Sequence, residues 1–512
     1  MKKLLLITLL LPIGFLACKK DKTPIDSEFF INEDPATFSE IGSLDIGETG
    51  AAEISAFDPI TKRLFVVRNE NEGSPSQLNQ IEIIDFKDPE HMVSIGAINI
   101  TPYGGAVNSV AIHDGKLAAA IQANDKQANG KVVVFKTSDY SKITEVTVGA
   151  LPDMIIFSPD GKYIMTANEG EPNTEYTTDP SGTVSIISVK ENYAVTTFDF
   201  SSMAGQLAAL TQKGFRIFGI GKNFVKDIEP EYITISSDSK TAWVTLQENN
   251  AIAKIDIGSK TISNIFPLGF KDYNTTGNEI DPSDADGGYK PAKWPVKGMY
   301  LPDAIAILES NGTPYLFTAN EGDTREYTAF TEFLRVKNKD IKLDPTVFPN
   351  ALDLKKDDQL GKLNVTTTLG DTDGDGDLDE LYSFGSRSFS VWNGNTGAQV
   401  FDSKNQLDAK CIDEKVYEDG RSDDKSVEPE GITIGTVGNK KVAFVGMERS
   451  DAIAVYDITI PTAPVFLQLL KCGDAPEGVL YIPAKNSPTK KSLLVVSSEG
   501  DGVVKVYTPK TI

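Results

Sequence analysis

Short runs of alternating apolar and polar residues, separated by tight-turn sequences, recur along most of the chain. The repeating unit is an apolar strand, a turn, a second apolar strand ending in an acidic-Gly or Asn-rich corner, and a third strand rich in β-branched residues. "LPDMIIFSPDGKYIMTANEGE" followed by "GTVSIISV" is its clearest form. "EPEYITISSDSKTAWVTLQENN", "EPEGITIGTVGNKKVAFVGMERSD" and "APEGVLYIPAKNSPTKKSLLVVSSEGDG" repeat it, and "LPDAIAILESNGTPYLFTANEGD" opens a further copy. Two weaker copies, containing "EISAFDPITKRLFVV" and "VNSVAIHDGKLAAA", precede them. Period-two alternation makes strands, and short strands at regular spacing with Pro-Asp-Gly-type turns make radially arranged four-stranded units. The pattern predicts an all-β fold, a seven-bladed β-propeller with loop insertions and one short helix. The helix falls in "SSMAGQLAALTQKGF" and ends at Gly214. Insertions are expected near 199–228, 269–298 and 402–427. The largest interrupts the fifth unit, from about Asn320 to a third strand starting at Leu381.

The repeat places acids together. In such a unit the first strand starts beside the central axis and the second, running back, ends on the same face. Asp153 should therefore meet Glu169, Glu231 meet Glu248, and Asp303 meet Glu321. Glu430 should likewise meet Glu448, and Glu477 meet Glu499. Glu53 and Glu70 extend the set, while the second unit offers Asn108 and Asn124. A ring of carboxylates raises the pKa of each member unless cations compensate. Two roles stay open for it: hydrogen bonds to amides between neighbouring units, or a metal or cationic ligand on the axis.

"GDTDGDGDLDELYSF" is the sharpest local motif. Asp371, Asp373, Asp375, Asp377 and Asp379 alternate along it, and unneutralised they repel one another. Ca²⁺ takes six to eight oxygens, and alternate carboxylates on a tight turn supply them. Gly376 permits the turn, and Asp377 contributes its backbone carbonyl with its side chain toward solvent. An EF-hand would need a Glu where Tyr382 stands, so the pattern instead resembles the loop that joins strands in integrin-type propellers. "GNEIDPSDADGG" is a weaker candidate, with Asp281, Asp284 and Asp286 as ligands and a hydrogen-bonded turn as the alternative.

The N-terminus changes the setting. Lys2 and Lys3 precede an apolar run from Leu4 to Ala17, followed by Cys18. This is a secretory signal over 1–17 with a lipoprotein-type cleavage site, so Cys18 is the expected lipidation site. Residues 18–44 then read as lipidated N-terminus and linker, and 45–512 as the propeller. The protein is expected at the outer membrane or cell surface, touching the membrane through its lipid alone. A net charge of −23 argues against nucleic acid or anionic lipid as partners and favours cations. Cys411 and Cys472 could equally pair or stay apart.

These residues resemble a known family. "GNEIDPSDADGGYKPAKWPVKGMYLPDAIAI", "YLFTANEGDTREY", "GDTDGDGDLDELYSFGSRSFSVW" and "EPEGI" look like the choice-of-anchor I family. The resemblance implies a YVTN/WD40-like propeller outside the cell that binds an extracellular ligand or surface partner. Some bacterial relatives carry an alkaline-phosphatase label, but the resemblance carries over no catalytic residues; a calcium-dependent, phytase-like phosphoesterase is the alternative function class. His91 and His113 are the only histidines, and neither lies in a Ser or Cys motif. His-assisted nucleophilic and His-ligated zinc chemistry are therefore poorly served. Arg325, Arg387 and Arg449 are the candidate anion partners of a hydrolase, with salt bridges as their other role. For the anchor, Cys18→Ser is expected to release the protein from the membrane fraction. Unchanged membrane recovery would exclude the tether.

Overall fold

The computed structural model describes residues 29–71, 74 and 76–512, so the signal segment and Cys18 lie outside the described residues. Seven four-stranded antiparallel sheets carry the fold, with a three-stranded and two two-stranded sheets beside them. Their inner strands are Ala51–Asp58, Val107–His113, Pro152–Phe157, Pro230–Ile235, Ile305–Ser310, Pro429–Val437 and Pro476–Ile482. Each touches the next in chain order, and Pro476–Ile482 touches Ala51–Asp58.

The strands form where the alternation places them, and both faces of each sheet are apolar. Met165, Val184, Val244 and Ala253 share a buried cluster between the third and fourth sheets. Leu64, Val66, Leu493 and Val504 do the same between the first and seventh. Trp243 adds a polar tie, donating its Nε1–H to the Gly394 carbonyl (2.9 Å) and so joining the fourth sheet to the fifth. The 201–211 segment is a 3-10 turn, Ser201–Gln206, running into the short α-helix Leu207–Thr211.

Three expectations are corrected. Residues 33–45 are not linker. Glu33–Asp45 is the outer strand of the seventh sheet, paired antiparallel with Val503–Thr511. Pro35 and Gly42 interrupt its alternation, and the pairing shifts register between Asp34 and Ser39 and between Glu40 and Gly42. The strand covers an edge that would otherwise be open. Second, the third strand of the fifth sheet starts at Phe389, not Leu381. Tyr382–Ser383 instead runs parallel to Lys297–Met299 in the three-stranded sheet. The chain turns between them through left-handed Gly385 and Arg387 (φ 63° and 54°). Gly322 presses there against the Gly385 backbone, where a Cβ would lie 2.2 Å from the amide nitrogen. The interruption therefore spans 320–388. Third, the 402–427 insertion contains a nine-residue helix, Gln406–Glu414, that was not anticipated.

Cys411 and Cys472 are both free, Cys411 lying buried beside Met447. Among the described residues no helix is long and apolar enough to cross a membrane.

The terminal strand joins the two ends of the chain, and Phe38 is its buried anchor, 5% exposed and edge-on to Phe444 at 5.2 Å. Phe38→Ala is expected to destabilise the whole fold by about 3–5 kcal/mol. Urea unfolding measures it, and a loss confined to the last sheet would show that the sheets unfold separately.

Candidate functional site

Four inner strands open the same way, with a left-handed residue placed directly before a proline: Leu151, Leu301, Glu428 and Ala475, at φ 47°, 44°, 48° and 51°. Such a conformation is strained for a residue with a side chain and needs surrounding contacts to hold it. The contact recurs as well. Glu169, Glu448 and Glu499 donate their backbone N–H to the carbonyls of Leu151, Glu428 and Ala475 (2.9, 3.0 and 3.0 Å). Register shifts follow within the strands, between Pro152 and Ile155, Pro230 and Ile233, and Pro429 and Ile432. These bulges re-aim the acid that follows each proline toward the axis.

The result is one acidic cavity of about 210 Å³. Asp153, Glu169, Glu231 and Glu248 line it from the third and fourth sheets. Asp303, Glu321, Glu430 and Glu477 line it from the fifth, sixth and seventh. Glu448 and Glu499 stand outside this lining: Arg449 holds Glu448 (2.8 Å), and Glu499 acts on Glu477 only through its charge. A second cavity of about 300 Å³ adjoins the acids, with Val110, Ile156, Ile233 and Ile307 in its wall. Asn108 also lines the acidic cavity and donates to the Pro152 carbonyl (3.1 Å). The first sheet contributes no acid to the lining, since Glu53 accepts from Asn69 (2.9 Å) and Glu70 pairs with Arg68 (2.6 Å).

Direct pairing with cations concentrates on one side of the cavity, while Arg325 acts on Glu248 by its charge. Lys425 reaches Glu321 (2.7 Å) and Glu428 (3.2 Å), Arg421 holds Glu428 (2.5 Å), and Gln247 donates to Glu321 (2.8 Å). Burial raises the Glu321 carboxyl, but the Lys425 charge and these hydrogen bonds outweigh it and hold it below its ordinary value. On the other side, Asp153, Glu169 and Glu231 bring one oxygen each within 4.8 Å of one another. Burial, and then the charge of Glu171, push Asp153 up to about 7. Burial and neighbouring carboxylates drive Glu169 and Glu231 well above the ordinary carboxyl range.

The sequence reading did not anticipate Glu171, Asp323, Gln247 or Tyr232 in the lining. The repeated "NEGE" and "NEGD" corners carried that information for the first two. Lys425 arrives from an insertion, with no local motif.

The aspartate loop lies apart from this cavity. Asp371, Asp373 and Asp379 place an oxygen each within 4.8 Å of one another. Asp371 accepts the N–H groups of Gly374 (2.7 Å) and Gly376 (3.1 Å), and Asp379 accepts that of Thr372 (2.8 Å). Two details differ from expectation. Asp375 is not in that group, its carboxylate accepting the Asp377 N–H (3.1 Å). The Asp377 side chain turns toward Asp344 and Asp379 rather than solvent. Asp344 comes close because its own N–H bonds the Leu378 carbonyl (3.0 Å).

The weaker loop is a hydrogen-bonded turn. Asp281 accepts the N–H groups of Lys290 (2.7 Å) and Ser283 (3.3 Å), and Asp284 pairs with Lys362. Asp286 faces Lys290 at 4.0 Å. Among the described residues none of the three joins a close acidic triple. The arginines are committed too. Arg325 is buried against Asp227 and Glu229, and Arg387 donates to the carbonyls of Asp281 (2.7 Å) and Ser422 (2.7 Å). Arg449 pairs with Glu448. His91 bonds Asp88 at the surface (2.9 Å), and His113 meets the Pro159 carbonyl (3.3 Å).

Successive four-stranded sheets around a shared acidic cavity define a propeller-like all-β protein. The chain belongs to the choice-of-anchor I domain family, whose model matches residues 53–461. It is 29% identical over 188 residues to Gigasin-3a of Magallana gigas, covering 30% of this chain and 66% of that protein. It is 25% identical over 306 residues to the mesenchyme-specific cell surface glycoprotein of Strongylocentrotus purpuratus, covering 50% of this chain and 39% of that one. The chain thus spans only part of either curated relative. Solved structures similar to it include Kuenenia stuttgartiensis hydrazine synthase, with TM-score 0.48, 12% identity and coverage of 91% of this chain and 97% of that one. The Cps50 (Swd1) β-propeller domain of Myceliophteria thermophila has TM-score 0.47, 8% identity and coverage of 92% and 100%.

The raised carboxyls fix a pH dependence. A group whose folded pKa exceeds its unfolded value stabilises the fold fully below the unfolded value, and loses that contribution as pH rises through the folded one. Asp323 at about 6, Asp153 at about 7 and Glu448 at about 8 place the loss in that interval. In calcium-free buffer the urea midpoint should fall between about pH 5 and about pH 8. A midpoint that rises across this interval would show that the acids are neutralised within the protein.

Proposed function

We propose that the chain is an exported, lipid-anchored, calcium-binding β-propeller that works as a binding or scaffold protein at the cell surface. The seven four-stranded sheets are its blades, and pairing of Glu33–Asp45 with Val503–Thr511 holds first and last together. Family membership supports the surface assignment. One observation carries the calcium reading: Asp371, Asp373 and Asp379 converge within 4.8 Å on an exposed turn where their charges repel. Asp371, Asp373 and Asp379, with the Asp377 carbonyl, would hold the ion. Its place, just before the insertion rejoins the fifth sheet, makes the ion a clasp on the 320–388 segment.

The hydrolytic alternative would draw its anion contacts from bound calcium and from arginines near the acids. Arg325, Arg387 and Arg449 are all engaged in pairs or carbonyl contacts, so binding without chemistry fits better. Phosphate release from model esters, with and without calcium, separates the two readings.

Binding to the folded state alone stabilises by RT ln(1 + [L]/Kd), about 2.7 kcal/mol at a hundredfold excess over Kd. Calcium is therefore expected to raise the melting temperature and protect 320–388 from proteolysis, and Mg²⁺ to substitute poorly. Asp373→Ala should lose this increment and bind one calcium fewer per chain by calorimetry. Equal uptake by the variant would reduce the motif to a solvated turn.

A further inference from the structure

We infer that the axial cavity is a second divalent-cation site, of calcium type, formed by Asp153, Glu169 and Glu231 with Glu248 beside them. It goes beyond the loop reading and does not depend on it.

Three observations support the site independently. First, the three carboxylate oxygens lie within 4.8 Å of one another. Calcium holds oxygens at about 2.3–2.6 Å, so ligands on opposite sides of one ion are up to about 5 Å apart. The three oxygens are thus spaced on the scale of one calcium's ligand shell. Second, Glu248 is only 6% exposed, lines the cavity, and leaves its Oε2 without a hydrogen-bond partner. Glu430 and Glu477, in the same wall, each leave Oε2 unpartnered as well. Buried oxygens of this kind are costly unless something satisfies them.

The third is a comparison within the molecule. Glu321, Glu428 and Glu448 form an equally close acidic triple. That triple receives Lys425, Arg421 and Arg449. The largest electrostatic influences on Asp153, Glu169 and Glu231 are other carboxylates. Among the described residues, lysine and arginine side chains pair with the first triple and none pairs with the second, while Arg325 acts on Glu248 by its charge.

The donor set defines the ligand class. It is all carboxylate oxygen, with no imidazole or thiol in the lining, which suits hard cations and not zinc or copper. An ammonium group would bring a single charge to this cluster, whereas a divalent ion brings two. Metal binding requires ionised carboxylates and releases protons.

The test uses the full chain carrying Asp373→Ala, which removes the loop site, at about pH 8. Tyr232 lines the cavity and can sensitise bound terbium. Asp373→Ala protein should show terbium emission displaced by calcium, and should take up one calcium by calorimetry. Adding Glu231→Gln, which keeps the side chain's size, should weaken that binding by about tenfold or more. Circular dichroism checks that the double variant is folded, and Glu169→Gln provides a second one. Asp373→Ala protein that binds no divalent ion overturns the axial site and leaves the loop reading standing. Equal binding with and without Glu231→Gln also overturns it. If wild type and Asp373→Ala bind alike and Glu231→Gln abolishes binding, the axial site stands and the loop reading fails.

Discussion

A four-stranded sheet with two apolar faces can leave neither face in water, and the rest of this structure follows from that constraint. Each sheet here covers its neighbours, as Met165 and Val184 cover Val244 and Ala253. The first and last sheets have the same need, and the cluster of Leu64, Val66, Leu493 and Val504 meets it. Glu33–Asp45 then completes the seventh sheet from the opposite end of the chain. Stacking of this kind turns every inner strand toward a common axis, so whatever the repeat places at a strand opening arrives there several times over.

What it places there is an acid after a proline. A single carboxylate at a wet mouth costs little, but a ring of buried ones is desolvated and self-repelling. The structure offsets the repulsion by direct pairing on the side of Glu321, Glu428 and Glu448, through Lys425, Arg421 and Arg449, while Arg325 acts on Glu248 by its charge. The other side retains raised carboxyls at Asp153, Glu169 and Glu231. Strain at Leu151 and Ala475 fits the same picture, since a left-handed residue before proline persists only where its surroundings impose it.

How much of this was legible in the sequence depended on range. The pairing of Asp153 with Glu169 was readable because both acids sit in repeated corners one hairpin apart, and period-two patterning sets which face they share. The turn around Asp371 was readable for the same local reason. The strand at Phe38 was not, because Pro35 and Gly42 break its alternation and its partner lies at the other terminus. The start of the fifth sheet's third strand at Phe389 was hidden by Tyr382, whose apolar neighbours satisfy a different small sheet. Asp344 joins Asp377 and Asp379 only through backbone pairing inside an insertion. Repetition made the local geometry visible, and the insertions carried information with no repeat to compare.

Those insertions also connect the two acidic regions. Lys425 neutralises Glu321 only because the segment around it is held in place. Arg387 donates to the carbonyls of Ser422 (2.7 Å) and Asp424 (3.1 Å), and Arg335 pairs with Asp423 (3.1 Å). Asn364 binds the same segment through the Asp423 carbonyl (3.2 Å) and the Asp424 carboxylate (3.1 Å). Arg335, Asn364 and Arg387 all belong to the 320–388 interruption that the aspartate loop closes. The interruption that carries the aspartate loop thus also holds the backbone just before Lys425, the lysine that pairs with Glu321.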